Sequence, residues 1–269
     1  MKPLHPHRLA PALLAVATLA GACAPPAATT TPAVPAPSVG ANPFFVASPL
    51  PYHAPRFDLI RNEHYQAALE EGMRQQLAEV DSIAKQTTAP TFENTIVAME
   101  KSGALLTRVS KTFTGVIGAN TNDTLQKIQE IEAPKLAATN DAIYLNDQLW
   151  QRVKSVYDRR DASNLNTEQK ALIERYNRDF VRAGAQLSET DKVRIRAINQ
   201  ELSKLSTEFS NKLLAGTKAG ALVVDNPSQL AGMTDDEIKT AADAAKQRGL
   251  TGKWLLPLRN TTQNLRRRS

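Results

Sequence analysis

Residues 65–83 read YQAALEEGMRQQLAEVDSI. Within them Tyr65, Ala68, Leu69, Gly72, Leu77, Val80 and Ile83 fall on one face of a helix with about 3.6 residues per turn. A face of that kind has to be buried against other elements. The same periodicity continues toward the C-terminus. Pro90 separates this helix from a second, whose face is Met99, Leu106, Val109, Phe113 and Val116, and Gly118-Ala119-Asn120 ends it.

Asn122 or Thr121 can cap a third helical stretch running to about Arg160. Pro134 is expected to kink or break it, because proline lacks an N–H and its ring crowds the preceding turn. Asn166 caps a fourth helix with Leu172, Tyr176, Phe180, Ala183 and Leu187 inward, and Ser188 starts a fifth. In the fifth, Ile195, Ile198, Leu202, Leu205 and Phe209 alternate at spacings of three and four, a heptad seam. About two heptads are short for a coiled-coil dimer, so these side chains are expected in the core. The pattern then changes. Ala221-Leu222-Val223-Val224 reads as a strand, and Thr234 with Glu237 as a capping box for a helix ending at Gly249. Lys253-Trp254-Leu255-Leu256 reads as a second strand, which Pro257 places at an edge or at its own end.

Toward the N-terminus, residues 42–60 hold Pro43, Pro49, Pro51 and Pro55. They form an extended lead-in expected to pack Phe44, Phe45, Tyr52 and Phe57 on the body. The expected fold class is therefore mostly α, with one short β-strand pair near the C-terminus. Composition agrees: 42% hydrophobic residues can fill a core, and 5% aromatics favours packing by Leu, Ile, Val and Ala.

The net charge of +6 is located at the ends. Lys2 and Arg8 supply two of the excess positive charges and Arg266, Arg267 and Arg268 three, leaving +1 for residues 23–265. Nucleic-acid binding needs a basic face on the fold itself, so no nucleic-acid partner is expected. Lys2 and Arg8, the apolar run Leu9 to Leu19 and the small residues Ala20-Gly21-Ala22 read as a signal peptide over residues 1–22. Leu19-Ala20-Gly21-Ala22-Cys23 resembles a bacterial lipobox, in which Cys23 becomes the lipid attachment site and the new N-terminus. It departs from that pattern at Ala20, where a bulky aliphatic residue is usual. Plain cleavage after Ala22 would instead leave Cys23, the sole cysteine, as a lone thiol. Residues 24–41 are uncharged and rich in Pro, Ala and Thr, a composition that favours extended conformations and suits a spacer. The expected location is thus exported and periplasmic, held at a membrane only through the lipid on Cys23.

The sequence carries no complete catalytic constellation. Its four histidines are His5, His7, His53 and His64. A His-Glu-x-x-His zinc site needs two histidines one turn apart, and His64 has Ala68 at the second place. The reversed His-x-x-Glu-His form has Ile60 where the first ligand belongs. Ser82-Ile83-Ala84-Lys85 matches Ser-x-x-Lys without the Lys-Thr-Gly or Ser-Asp-Asn that accompany a serine nucleophile, and reads as a solvated helix face. Gly216 and Gly220 lie between a helix and a strand, the reverse of a phosphate loop. Glu70-Glu71 and Asp235-Asp236-Glu237 have no partner marking an acid/base pair and are expected to be solvated.

A resemblance runs through the body in order. It includes Asn42-Pro43-Phe44, Leu50-Pro51-Tyr52, Pro55-Arg56-Phe57-Asp58 and Glu71-Gly72-Met73. It continues with Phe92-Glu93-Asn94-Thr95-Ile96, Ile143-Tyr144-Leu145-Asn146, Leu230-Ala231-Gly232-Met233 and the run Trp254 to Gln263. These resemble the opening of bacterial dipeptidyl carboxypeptidases, in the thimet oligopeptidase family of zinc metallopeptidases. The resemblance implies the helical N-terminal portion of a two-lobed α-helical metallopeptidase with a deep channel. There, zinc held by His-Glu-x-x-His and a more distant Glu would activate water, and dipeptides would leave the C-terminus of oligopeptide substrates. No residue of this chain matches those ligands or the family's substrate-carboxylate contacts. Catalytic, cofactor-binding and metal residues are therefore assigned to none, and zinc is expected as a cofactor of the full-length family rather than of this chain.

The expected organisation is a signal peptide at 1–22 and a lipid-attachment cysteine with linker at 23–41. The helical metallopeptidase region follows at 42–263, then an unrelated tail at 264–269, as from a frameshift, a premature stop or a split gene with a separately encoded C-terminal half as partner. On this reading the chain is a fragment without the catalytic half, inactive alone. The other reading is a free-standing, membrane-tethered helical module that binds peptides or a protein without catalysis.

Lipidation has a direct consequence. A Cys23→Ser variant should leave the membrane fraction and appear in the soluble periplasmic fraction. Wild-type chain that is already soluble, with an unmodified Cys23 at its N-terminus, would contradict the lipid anchor.

Overall fold

The computed structural model describes residues 42–258. Cys23, the signal peptide, the spacer and the tail lie outside the described residues. Within them the fold is helical with one two-stranded sheet, as the periodicity predicts. Helix α1 spans Asn62–Ala84, and a π-helical turn at Phe92–Val97 runs into the short α2, Ala98–Lys101. Then come α3 Ala104–Asn120, α4 Asp123–Tyr144, α5 Asp147–Asp158, α6 Thr167–Ala183 and α7 Glu189–Ala219. Strand β1 (Leu222–Val224) and strand β2 (Trp254–Leu256) flank α8, Asp235–Gln247. The strands pair antiparallel, Leu222 opposite Leu256 and Val224 opposite Trp254.

The predicted caps form. Asn122, Asn166, Ser188 and Thr234 each accept from a backbone N–H in the first turn of the following helix. Each satisfies a donor that the helix cannot pair internally.

Helix α1 serves two cores. Its N-terminal half buries Tyr65, Ala68 and Leu69 with Phe44, Val109, Phe113, Leu125 and Ile128. Its C-terminal half buries Val80, Ile83 and Ala84 with Ile96, Leu149, Val153, Ile173 and Phe180. Gly72 lies between the two sets. A Cβ built there would meet the backbone Cα of Leu106 at 2.8 Å, so α1 and α3 touch backbone to backbone.

The loop after α1 is held by side chains. Asn94 Oδ1 accepts from the Thr91 N–H (2.8 Å) and from the Arg152 guanidinium (3.0 Å), while its Nδ2 donates to the Ala89 carbonyl (2.9 Å). Arg152, buried on α5, also donates to the carbonyls of Gln86 (2.9 Å) and Thr88 (3.1 Å). The Phe92-Glu93-Asn94-Thr95-Ile96 run is thereby accounted for as a structural joint.

Several sequence expectations need correction. Pro134 does not break its helix: α4 runs through it, and the break falls at Leu145-Asn146, where Asn146 caps α5. The second helical stretch is divided at Gly103, whose left-handed φ of 69° starts α3 afresh. Of the lead-in aromatics only Phe44 is buried; Phe45, Tyr52 and Phe57 are exposed. Leu187 is exposed as well, and Ile173 takes an inward place that the pattern missed. The largest departure is α7. Ile198, Leu202, Leu205 and Phe209 are 51%, 59%, 51% and 67% exposed, not core.

The Gly72 contact is testable. Gly72→Ala forces a methyl against backbone that cannot swing away, and overpacking of that kind costs about 1–3 kcal/mol. The variant should melt several degrees below wild type in circular dichroism, although alanine is the better helix former. An unchanged or raised melting temperature would show that the crossing is looser than described.

Candidate functional site

The two histidines within the described residues serve the backbone. His64 Nδ1 accepts from the Arg61 N–H at 3.0 Å and so caps the start of α1. His53 Nδ1 donates to the Ser48 carbonyl at 3.0 Å. Among the described residues no three His, Cys, Asp or Glu side chains converge where a metal ion could be held. Catalytic zinc takes three protein ligands with a place left for water. The described residues do not fit that group. Ser82 is exposed and Lys85 pairs with Asp81 at 2.8 Å, so the Ser-x-x-Lys run is a solvated helix face. Gly220 closes α7 through its N–H to the Gly216 carbonyl (2.8 Å), a helix end rather than a phosphate loop.

A cavity of about 250 Å³ lies among α1, α4 and α6, with Gln76, Met99, Ser102, Asn140, Tyr144 and Tyr176 on its wall. The Tyr176 hydroxyl donates to Glu100 Oε1 at 2.7 Å. Burial first, and then this carboxylate, push the Tyr176 phenol far above its ordinary range. Burial also raises Tyr144. Both hydroxyls therefore stay protonated and neutral at physiological pH. The wall offers hydroxyls and amides but no histidine, cysteine or lysine, so it carries no activated nucleophile.

Charged groups that sequence reasoning passed over are buried at helix contacts. Glu132 on α4 is fully buried and accepts from Lys135 Nζ at 2.9 Å, and Lys135 also pairs with Glu70 on α1. Hydrogen bonding from Lys135 holds the Glu70 carboxyl below its usual range, so Glu70 is an ion-pair partner between helices and not simply solvated. Lys192 on α7 is 2% exposed and pairs with Asp147 on α5 and with Glu189 at 3.0 Å. Desolvation lowers the Lys192 ammonium, but the hydrogen bonds to Asp147 and Glu189 outweigh it and leave the pKa raised. Asn199 Nδ2 donates to Asp141 on α4 (2.7 Å), and Asn211 Nδ2 donates to Glu130 on α4 (3.1 Å). The sequence signals were Glu132 three before Lys135 and Glu189 three before Lys192; the other partners are far apart in the chain.

These contacts define how α7 sits. Lys192, Asn199, Thr207 and Asn211 make its buried or cross-helix polar contacts. Its apolar seam is half-buried at Ile195 and exposed from Ile198 onward, and Leu213 extends it at 60% exposure. A stripe of large apolar side chains along a long helix marks an interaction surface. It is the feature of the described residues that most demands a partner. No described helix is long and apolar enough to cross a membrane, so the stripe is not a span.

No protein-family model matches the chain. Dipeptidyl carboxypeptidase of Escherichia coli (strain K12) is 47% identical over 222 residues, covering 82% of this chain and 33% of that protein. Dipeptidyl carboxypeptidase of Salmonella typhimurium is 45% identical over 222 residues, with the same shares. Oligopeptidase A of Haemophilus influenzae is 25% identical over 198 residues, covering 74% of this chain and 29% of that protein. The chain is of peptidase lineage. More narrowly, it is homologous at family level to the dipeptidyl carboxypeptidases, and it spans about a third of the length of the curated relatives it matches.

The buried Asp141 yields a pH prediction. Burial raises its pKa above the unfolded value, against the opposing hydrogen bond from Asn199 and the charge of Arg196. The folded state therefore binds its proton more tightly, and the stability from that proton is lost as pH rises through the folded pKa. Asp141→Asn keeps an acceptor for Asn199 and removes the charge. It should be more stable than wild type at pH 7. The gain should shrink as pH falls below the usual carboxylate range. Urea melts at pH 7 and pH 3 check both values; a variant less stable at pH 7 would contradict the sign.

Proposed function

We propose that residues 42–258 form the helical, non-catalytic region of a periplasmic zinc peptidase that releases C-terminal dipeptides from oligopeptides. The supporting observation is the 47% identity over 222 residues to a dipeptidyl carboxypeptidase. On this reading the region frames the peptide-binding body, and the groups that hold zinc and attack the peptide bond come from chain that it does not hold. The absence of a fitting donor set among the described residues is in keeping with that division of labour. The lipid on Cys23 and the uncharged spacer behind it hold the enzyme at a membrane surface, facing exported peptides. The family region extends to residue 263 and the last six residues lie outside it.

The purified, dialysed chain should hold no stoichiometric zinc by elemental analysis. It should release no dipeptide from short N-blocked peptides. Dipeptide release should appear when the part of the Escherichia coli relative outside the matched third is supplied as a separate polypeptide, and a chelator should remove it. Stoichiometric zinc with chelator-sensitive dipeptide release by the chain alone would overturn the division proposed here. Hydrolysis that removes single residues or cuts internally would overturn the dipeptidyl assignment.

A further inference from the structure

We infer that the cavity among α1, α4 and α6 binds one uncharged peptide unit of an oligopeptide, an inference that rests on the peptidase reading above for its class of ligand. The cavity holds about 250 Å³. That is several times what a bridging water needs. It falls just short of the ~300 Å³ at which sites for larger organic ligands begin. The occupant is therefore small, a backbone amide with one short side chain rather than a long stretch of peptide.

The polar groups on the wall divide into two sets. Three have partners: the Ser102 hydroxyl donates to the Met99 carbonyl (2.8 Å), the Thr139 hydroxyl to the Lys135 carbonyl (2.9 Å) and the Tyr176 hydroxyl to Glu100 Oε1 (2.7 Å). The amides of Gln76 and Asn140 and the Tyr144 hydroxyl line the same cavity and have no hydrogen-bond partner among the described residues. Gln76 and Tyr144 are half-buried, and Asn140 is exposed. Asn140 and Tyr144 stand one turn apart on α4 and so share a side of that helix. Gln76 comes from α1. Folded chains ordinarily pair such groups internally; these three are left to whatever fills the cavity.

A peptide unit matches what they offer. It carries one N–H donor and one carbonyl acceptor. A carboxamide side chain can donate to the carbonyl and accept from the N–H, and a phenol can do either. Val80, Leu106 and Ile143 supply apolar wall for a short side chain. No charged side chain is on the wall. A free ammonium or carboxylate brought inside would stay unpaired, which is costly. Glu100 does not relieve this, since it already accepts from Tyr176 and lies 3.6 Å from Arg175. The cavity thus selects the interior of a peptide over its charged ends.

The test uses the purified full chain and N-acetyl-alanine N-methylamide, a blocked residue with an amide on each side and no charge. Calorimetry should show saturable binding at one site, and the ligand should raise the melting temperature in circular dichroism. Tyr144→Phe keeps the ring on Phe180 (centroids 4.9 Å apart), and Gln76→Met keeps a long side chain against Gly103. Asn140→Ala changes an exposed residue. Each variant should weaken binding by about two- to tenfold, the net loss of one hydrogen bond. Lys111→Met, exposed on α3 and off the wall, should bind as wild type does. Alanyl-alanine with free ends should bind more weakly than the blocked residue. No saturable binding by the wild type would overturn the inference and leave the cavity to water. Equal binding by the wild type and all three wall variants would also overturn it, placing the ligand elsewhere. Tighter binding of the free dipeptide would overturn the selection for uncharged peptide. None of these results touches the peptidase reading, which is judged separately by dipeptide release on mixing with the remaining part of the relative.

Discussion

The fold depends on the close crossing of α1 and α3 at Gly72. There the chain has room for a hydrogen and for nothing larger, because the next atoms are Leu106 backbone. This contact fixes how near the two helices lie. The approach brings Tyr65 onto Phe113, with ring centroids 5.1 Å apart and tilted, an arrangement that aromatic rings favour. It also leaves the other half of α1 free to pack on the π-helical turn, α5 and α6. One helix can serve two cores because its apolar face is continuous while its neighbours change along its length.

Buried charge and hydrogen bonding add further links between elements. Arg152 ties α5 to the loop after α1, and Lys192 ties α7 to α5. Asp141 ties α4 to α7 through Asn199. A buried ion pair adds little net stability, since desolvation offsets most of the attraction, but leaving either partner alone is costly. These links therefore select one arrangement of helices more than they strengthen it. Their role here is to hold α7 where its apolar seam is exposed from Ile198 onward.

The described residues supply helices, a cavity lined by neutral hydroxyls and amides, and an unpartnered apolar stripe. Zinc chemistry needs a convergent donor set, which these residues lack. The homology to dipeptidyl carboxypeptidases covers a third of their length.

Much of the secondary structure was legible in the sequence alone, because the signals are local. The caps at Asn122, Asn166, Ser188 and Thr234, the buried face of α1 and the strand pair all follow from spacing and side-chain chemistry within a few residues. Tertiary structure decided the rest. Helix α4 passes through Pro134 because packing on α1 and α7 outweighs one lost hydrogen bond, whereas local rules predict a break. The apolar seam of α7 had the period of a core helix, and period alone cannot say which side faces inward. That was settled by Lys192, Asn199 and Asn211 finding partners 45, 58 and 81 residues away in the chain.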